Sequence, residues 1–178
     1  MLSRSMGISS TTIVRYLDYL EKSFLTRRLQ SYYFNIKKRL VKSPKLYIRD
    51  TGILHSLLGI STYKQLWDNI HLGASWESFV IEQIVTNMGK QLESWFYRTH
   101  EGTECDLLLT RNNLPVACIE IKITPVPKKT KSLTLAINDL RTKQNFIVVP
   151  ECDGTFSLTE NITVCELSTF IRQFLPKI

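Results

Sequence analysis

Between residues 92 and 123 the chain carries three apolar runs of strand length, at 92–98, 105–109 and 115–123. Asn112-Asn113 separates the last two. Paired asparagines tolerate left-handed backbone, so they can close a tight hairpin. A helical pattern follows at 131–141, with Leu133, Ile137 and Leu140 on one face. Next comes a β-branched run at 146–149 that Pro150 stops. Three meandering strands, a helix and a returning strand predict an α+β or mixed α/β layered domain with a right-handed crossover. A further strand is expected at 162–165 and a last helix at 167–175. Ahead of the meander, residues 74–88 predict a helix with Trp76, Phe79, Val80, Ile84 and Met88 on one side and Glu77 beside that stripe.

The first third of the chain has a different character. Residues 9–25 predict a helix whose apolar stripe is Ile13, Tyr16, Leu17, Leu20 and Phe24, capped by Ser9 or Ser10. Residues 2–6 read as the end of another helix, with Gly7 letting the chain turn out of it. Helix end, turn and helix outline a helix-turn-helix whose second helix, carrying Arg15, would read DNA. Two short strands, at 29–33 and 45–48, are expected to flank a basic turn. Such a wing can lay Lys37, Lys38, Arg39 and Lys42 against phosphates. The plainer reading is a solvated hairpin whose lysines guard an edge strand. A short helix is expected at 53–60, closed by Gly59, and a connector of little pattern at 61–72. The expected division is therefore a partial winged helix-turn-helix at 1–60 and a layered domain at 61–178.

Charge follows the same division. The chain of 178 residues has a formal net charge of +7. Residues 1–50 hold 11 Lys/Arg against 3 Asp/Glu, while residues 51–178 hold 12 against 13. Attraction for phosphate, or for an acidic protein partner, is thus concentrated in the first segment. No apolar run reaches bilayer length and the first residues carry no export signal, which predicts no membrane association and a cytoplasmic location. Cys105, Cys118, Cys152 and Cys165 form no CxxC pair and are expected as buried thiols, not zinc ligands. His55, His71 and His100 are scattered; His100 is nearest to Asp106.

Three ionisable groups interrupt the apolar meander: Asp106 in the second run, and Glu120 and Lys122 in the third. Strict alternation puts Cys105, Leu107 and Leu109 on one face and Asp106 with Leu108 on the other. Glu120 and Lys122 share a face. Hairpin pairing brings Asp106 near Glu120, where a hard cation such as Mg²⁺ or Mn²⁺ would relieve their repulsion. The Ile121 carbonyl can be a further ligand, and Lys122 can stabilise charge on a phosphorane-like transition state. Glu77 could hold a second ion or the outer water shell. The alternative is a structural ion pair at a strand edge.

The stretches GISSTTIVRYLDYLE, KRLVKSPKLYIRDTGILHSLLGI, GASWESFVIEQI, FYRTHEGTECDLLL and IEIK occur in that order. In them the chain resembles the C-terminal region of the predicted prokaryotic AAA-type ATPase family, across about residues 2–150. The resemblance implies a winged helix followed by a restriction-endonuclease-like PD-(D/E)xK domain. By motif, Asp106 matches the nuclease aspartate, Glu120 and Lys122 the (D/E)xK pair, and Glu77 the acid on the first core helix. Cys105 stands where the motif's name has proline. There is no GxxxxGK[ST] phosphate loop, so no ATP site is expected within this chain. Two functions follow: a metal-dependent nuclease-like module acting on duplex or branched DNA, or a non-catalytic module recognising DNA or a protein for an ATPase partner.

Overall fold

A computed structural model describes residues 5–33 and 38–178. Its centre is a six-stranded mixed sheet. The strands are β3 (Leu92–Arg98), β4 (Glu104–Arg111), β5 (Leu114–Ile121), β6 (Gln144–Val149), β7 (Phe156–Thr159) and β8 (Ile162–Glu166), in the spatial order β3-β4-β5-β6-β8-β7. β3, β4 and β5 form the expected antiparallel meander, and β6 returns parallel to β5. Asn112 and Asn113 have φ of 52° and 61°, the left-handed pair that a two-residue hairpin turn requires. The strand at 156–159 was not expected; it pairs antiparallel with β8 at the sheet's far edge.

Helices cover both faces. In chain order they are α1 (Ser10–Lys22), α2 (Thr51–Leu57), α3 (Tyr63–Trp67), α4 (Leu72–Asn87), α5 (Lys131–Leu140) and α6 (Leu167–Thr169), the last running on into a π-helical turn at Phe170–Phe174 and a 3-10 turn at Leu175–Lys177. On one face Val80, Ile81 and Ile84 of α4 pack with Leu107, Leu109, Ile119, Phe146 and Phe170. On the other, Leu133, Ala136, Ile137 and Leu140 of α5 pack with Leu108, Cys118, Ile147 and Val164. β4 and β5 are therefore buried on both sides, which explains why their apolar runs are nearly continuous. Each fully buried aliphatic side chain here contributes roughly 1.5–3 kcal/mol.

One expectation about faces is corrected. Trp95 pairs with Leu108, but Tyr97 pairs with Cys105, so β4 takes three steps where β3 takes two. The extra residue is a β-bulge. It turns Cys105 onto the α5 face beside Leu108 and Cys118, away from Leu107 and Leu109. Cys105, Cys118 and Cys165 are buried free thiols, as expected, while Cys152 is half-buried.

The leading segment leans on this domain. α1 is capped by Ser9, whose hydroxyl accepts the Thr12 amide at 3.1 Å. Ile13, Leu17 and Leu20 are only half-buried, and no residue of α1 is fully buried. Phe24 lies beyond the helix and is exposed. Strand β1 (Thr26–Leu29), earlier than the expected 29–33, pairs antiparallel with β2 (Lys45–Ile48). Residues 61–72 are not a bare connector: Thr62 and Gln65 form a capping box that starts α3. Residues around 30–32 and 39–41 run along the outer edge of β3. Tyr32 N–H donates to Phe96 O at 2.8 Å and Val41 N–H to Arg98 O at 2.9 Å, so the edge is covered.

Glu82 of α4 locks the β1–β2 ribbon in place. Its carboxylate, 13% exposed, meets Arg27 Nε at 2.7 Å and an Arg49 guanidinium nitrogen at 2.7 Å. Burial raises its pKa, but the hydrogen bonds and charges of Arg27 and Arg49 outweigh this and hold it below the usual value. Glu82→Ala would strand two half-buried guanidinium groups. It should lower unfolding free energy by roughly 1.5–3 kcal/mol, read as a lower denaturant midpoint with an unchanged slope.

Candidate functional site

The hairpin ends, the start of α5 and the β1–β2 ribbon meet at one end of the sheet. Trp76 of α4 donates its indole N–H to Lys122 O at 3.1 Å, and Lys122 N–H donates to Val148 O at 3.0 Å. With its backbone held from both sides, Lys122 turns its ammonium to Glu120 Oε1 at 2.6 Å. Glu120 itself is buried. It accepts from Thr130, the cap of α5, at 3.3 Å. A cleft of about 280 Å³ opens here, lined by Glu104, Asp106, Glu120, Lys122, Thr130 and Ser132, with Gly102.

Asp106 sits in the bulge, where its carboxylate reaches the strand gap. Oδ2 accepts the Ile121 amide at 2.9 Å. The Ile121 amide thus faces Asp106; its carbonyl, expected as a ligand, lies on that same strand edge. Burial, then the charge of Glu77, pushes the Asp106 carboxyl up; Lys45 and the Ile121 amide pull it down and Glu120 adds a little, leaving it at about 7. A carboxyl poised there is matched to proton transfer near neutral pH.

The residue that sequence reasoning missed is Lys45, the first of β2. Its Nζ lies 2.9 Å from Glu104 Oε1, 3.1 Å from Glu77 Oε1 and 3.8 Å from Asp106 Oδ1. Its ammonium stands over the Phe96 ring, 5.6 Å from Nζ to centroid. Burial alone would lower its pKa, but Glu77, Asp106 and Glu104 together raise it, so it stays an ammonium. Lys122 is raised in the same way, with Glu120 overcoming burial. Tyr47, two residues along the same strand face, donates its hydroxyl to Glu77 Oε1 at 2.6 Å. Glu104 was missed too; its sole sequence signal was the position two before Asp106.

Glu77, Asp106, Glu120 and Lys122 are thus brought to one end of the sheet, but in two groups. Glu77 and Asp106 face Lys45 with Glu104, while Glu120 faces Lys122. The donors are all carboxylate oxygens, which suits a hard divalent ion. Their arrangement does not: among the described residues no three Asp, Glu, His or Cys side chains are grouped to hold an ion. The space between three of the carboxylates is taken by Lys45.

The expected nucleic-acid residues are dispersed. Arg15 is exposed on α1. Lys37 lies outside the described residues. Lys38 meets both Asp139 oxygens at 2.8 Å, and Tyr97 also donates to Asp139, at 2.9 Å. Arg39 and Lys42 are exposed and line a cleft of about 720 Å³ with Lys38, Leu40 and His100. His100 thus borders this basic cleft, not the acidic one. Of the other histidines, His55 bonds Ser75 Oγ at 2.6 Å.

No helix of the described residues is long and apolar enough to cross a membrane. A family model described as "Domain of unknown function (DUF4143)" matches residues 72–170, and another, "Domain of unknown function (DUF8612)", matches residues 1–64. The chain is 41% identical over 161 residues to "Uncharacterized protein Rv2008c" of Mycobacterium tuberculosis and to "Uncharacterized protein Mb2031c" of Mycobacterium bovis. These matches cover 90% of this chain, which spans about a third, 36%, of each relative. No solved structure matches.

The raised Asp106 value predicts a pH dependence. Its folded pKa lies above the unfolded 3.8, so the stability it contributes is full below about pH 4 and is lost as pH rises through about 7. Asp106→Asn removes that loss. Between pH 4 and 8 the variant should gain on the order of 4 kcal/mol relative to the parent chain. Denaturation curves of both proteins across that range test this; a constant difference would mean that the carboxyl is not shifted.

Proposed function

The chain belongs to the family described as Domain of unknown function (DUF4143), and on that premise we propose that it is a nuclease-like module directed to nucleic acid. The reading rests on one observation: Asp106, Glu120 and Lys122 line the same cleft at the end of a hairpin. That is the placement expected of a PD-(D/E)xK domain, and the leading segment is then a partial winged helix. A phosphodiester entering this cleft would meet the Lys122 ammonium and the N-terminal, positive end of α5 behind Thr130. Both favour negative charge building on the non-bridging oxygens as water attacks phosphorus. Asp106, beside them, would take the proton from that water. The bond to the leaving oxygen then breaks, and that oxygen takes a proton from solvent. Glu120 positions Lys122. The family resemblance also brings Mg²⁺ or Mn²⁺ to this reading, although the carboxylates as arranged do not seat either ion.

A second reading, recognition of DNA or a protein without catalysis, is favoured by Lys45, which already neutralises the acidic cluster. Cleavage of plasmid, branched and single-stranded DNA with Mg²⁺ or Mn²⁺ separates the two. The nuclease reading expects cutting that falls about 100-fold or more in Lys122→Ala. Equal rates in the two proteins, or no cutting by either, leave recognition as the function. Titration of duplex DNA against salt then examines binding by itself. Arg39→Ala and Lys42→Ala should each reduce the slope of log K on log salt by about one where they contact phosphate.

A further inference from the structure

We infer that Lys45 is the resident cation of the acidic cluster, a tethered plug that keeps divalent ions out while β2 stays seated. The inference rests on the nuclease-like reading of the cleft and concerns how that site is controlled. Glu77 comes from α4, Glu104 and Asp106 from β4, and all three turn towards one ammonium group. An ion bound 2.0–2.1 Å from those oxygens would stand within roughly 3–4 Å of Nζ, where the two cations repel strongly. Both cannot occupy the place together.

The plug belongs to a different part of the chain from the carboxylates. Lys45 begins β2, and three contacts hold that strand down: Tyr47 on Glu77, Ser78 Oγ on Ile48 O at 2.8 Å, and Arg49 on Glu82. Glu104 lines both the acidic cleft and a second cleft of about 570 Å³ that holds Lys45, Tyr47, Glu77 and Arg98. Glu104 is therefore the wall that the two clefts share, and Lys45 meets it from the side of the second. Among the described residues, four carboxylates at this end face three cationic side chains, Lys45, Lys122 and Arg98. Among the described residues, withdrawing Lys45 leaves Glu77, Glu104 and Asp106 with one ion-paired cation, the Arg98 guanidinium 3.7 Å from Glu104. That is a strong demand for a replacement cation.

The test is Mn²⁺ binding to the whole chain, followed by electron paramagnetic resonance and by thermal unfolding, with no nuclease assay. The parent chain should bind Mn²⁺ weakly. Lys45→Met should bind at least roughly tenfold tighter, and its midpoint should rise with Mn²⁺. Adding Asp106→Asn to Lys45→Met should abolish that gain. If Lys45→Met does not fold, Lys45→Met/Glu104→Gln, which removes one charge of each sign, takes its place in the comparison. Equal affinity in parent and variant, lost in both with Asp106→Asn, would overturn the plug and leave the site reading intact. Failure of every folded variant to bind Mn²⁺ would overturn the plug because the cluster then accepts no ion. DNA cleavage would still judge the nuclease reading separately.

Discussion

Carboxylates crowded at a half-buried sheet end repel one another, and two unit charges 4 Å apart interact by about 4 kcal/mol where the effective dielectric constant is near 20. Glu77, Glu104, Asp106 and Glu120 can share this end because ammonium groups stand among them. Lys122 comes from the same strand as Glu120. Lys45 comes from the β1–β2 ribbon, and so carries a larger consequence: the charge balance at this end of the sheet depends on how the ribbon is seated. The Glu82 bridges, the covered β3 edge and the Tyr47–Glu77 bond all fix that seating. The leading segment is therefore part of the site's construction as well as an appendage to it.

The same pairings change the meaning of the basic first fifty residues. Arg27 and Arg49 are held by Glu82, Arg28 by Asp18 and Glu21, Lys38 by Asp139, and Lys45 by the acidic cluster. These internal bridges neutralise much of the surplus that suggested phosphate binding. Arg15, Arg39 and Lys42 face outward and make no ion pair among the described residues. Formal charge counts ions wherever they are; a polyanion responds to those still exposed.

Local patterns carried most of the fold. The Asn112-Asn113 turn, the runs of β3 and β5, the stripe of α5 and the Ser9 cap are all short-range signals, and each predicted its element. The bulge in β4 was hidden because its neighbours Cys105, Leu107 and Leu108 are all apolar, so either phase of the alternation looks the same. β7 was hidden because Phe156–Thr159 is short and half exposed, an edge strand with little apolar patterning. In the site, the motif residues Asp106, Glu120 and Lys122 were legible from spacing and the hairpin. Lys45 was not, because its partners lie 32 residues and more along the chain and only the ribbon's docking brings them together.

The bulge and the plug are two halves of one arrangement. In strict alternation Asp106 would follow Leu108 onto the α5 face, with Glu120. The bulge sets it at the strand gap instead, with one oxygen on the Ile121 amide and the other turned to Lys45. From there Asp106 faces both groups of carboxylates, lining the cleft with Glu120 while it shares an ammonium with Glu77 and Glu104. A change of charge at Lys45 acts on Asp106 too, because the Lys45 ammonium is one of the groups that pull its carboxyl down. The ribbon's ammonium therefore reaches the cleft through two of its lining residues, Glu104 and Asp106.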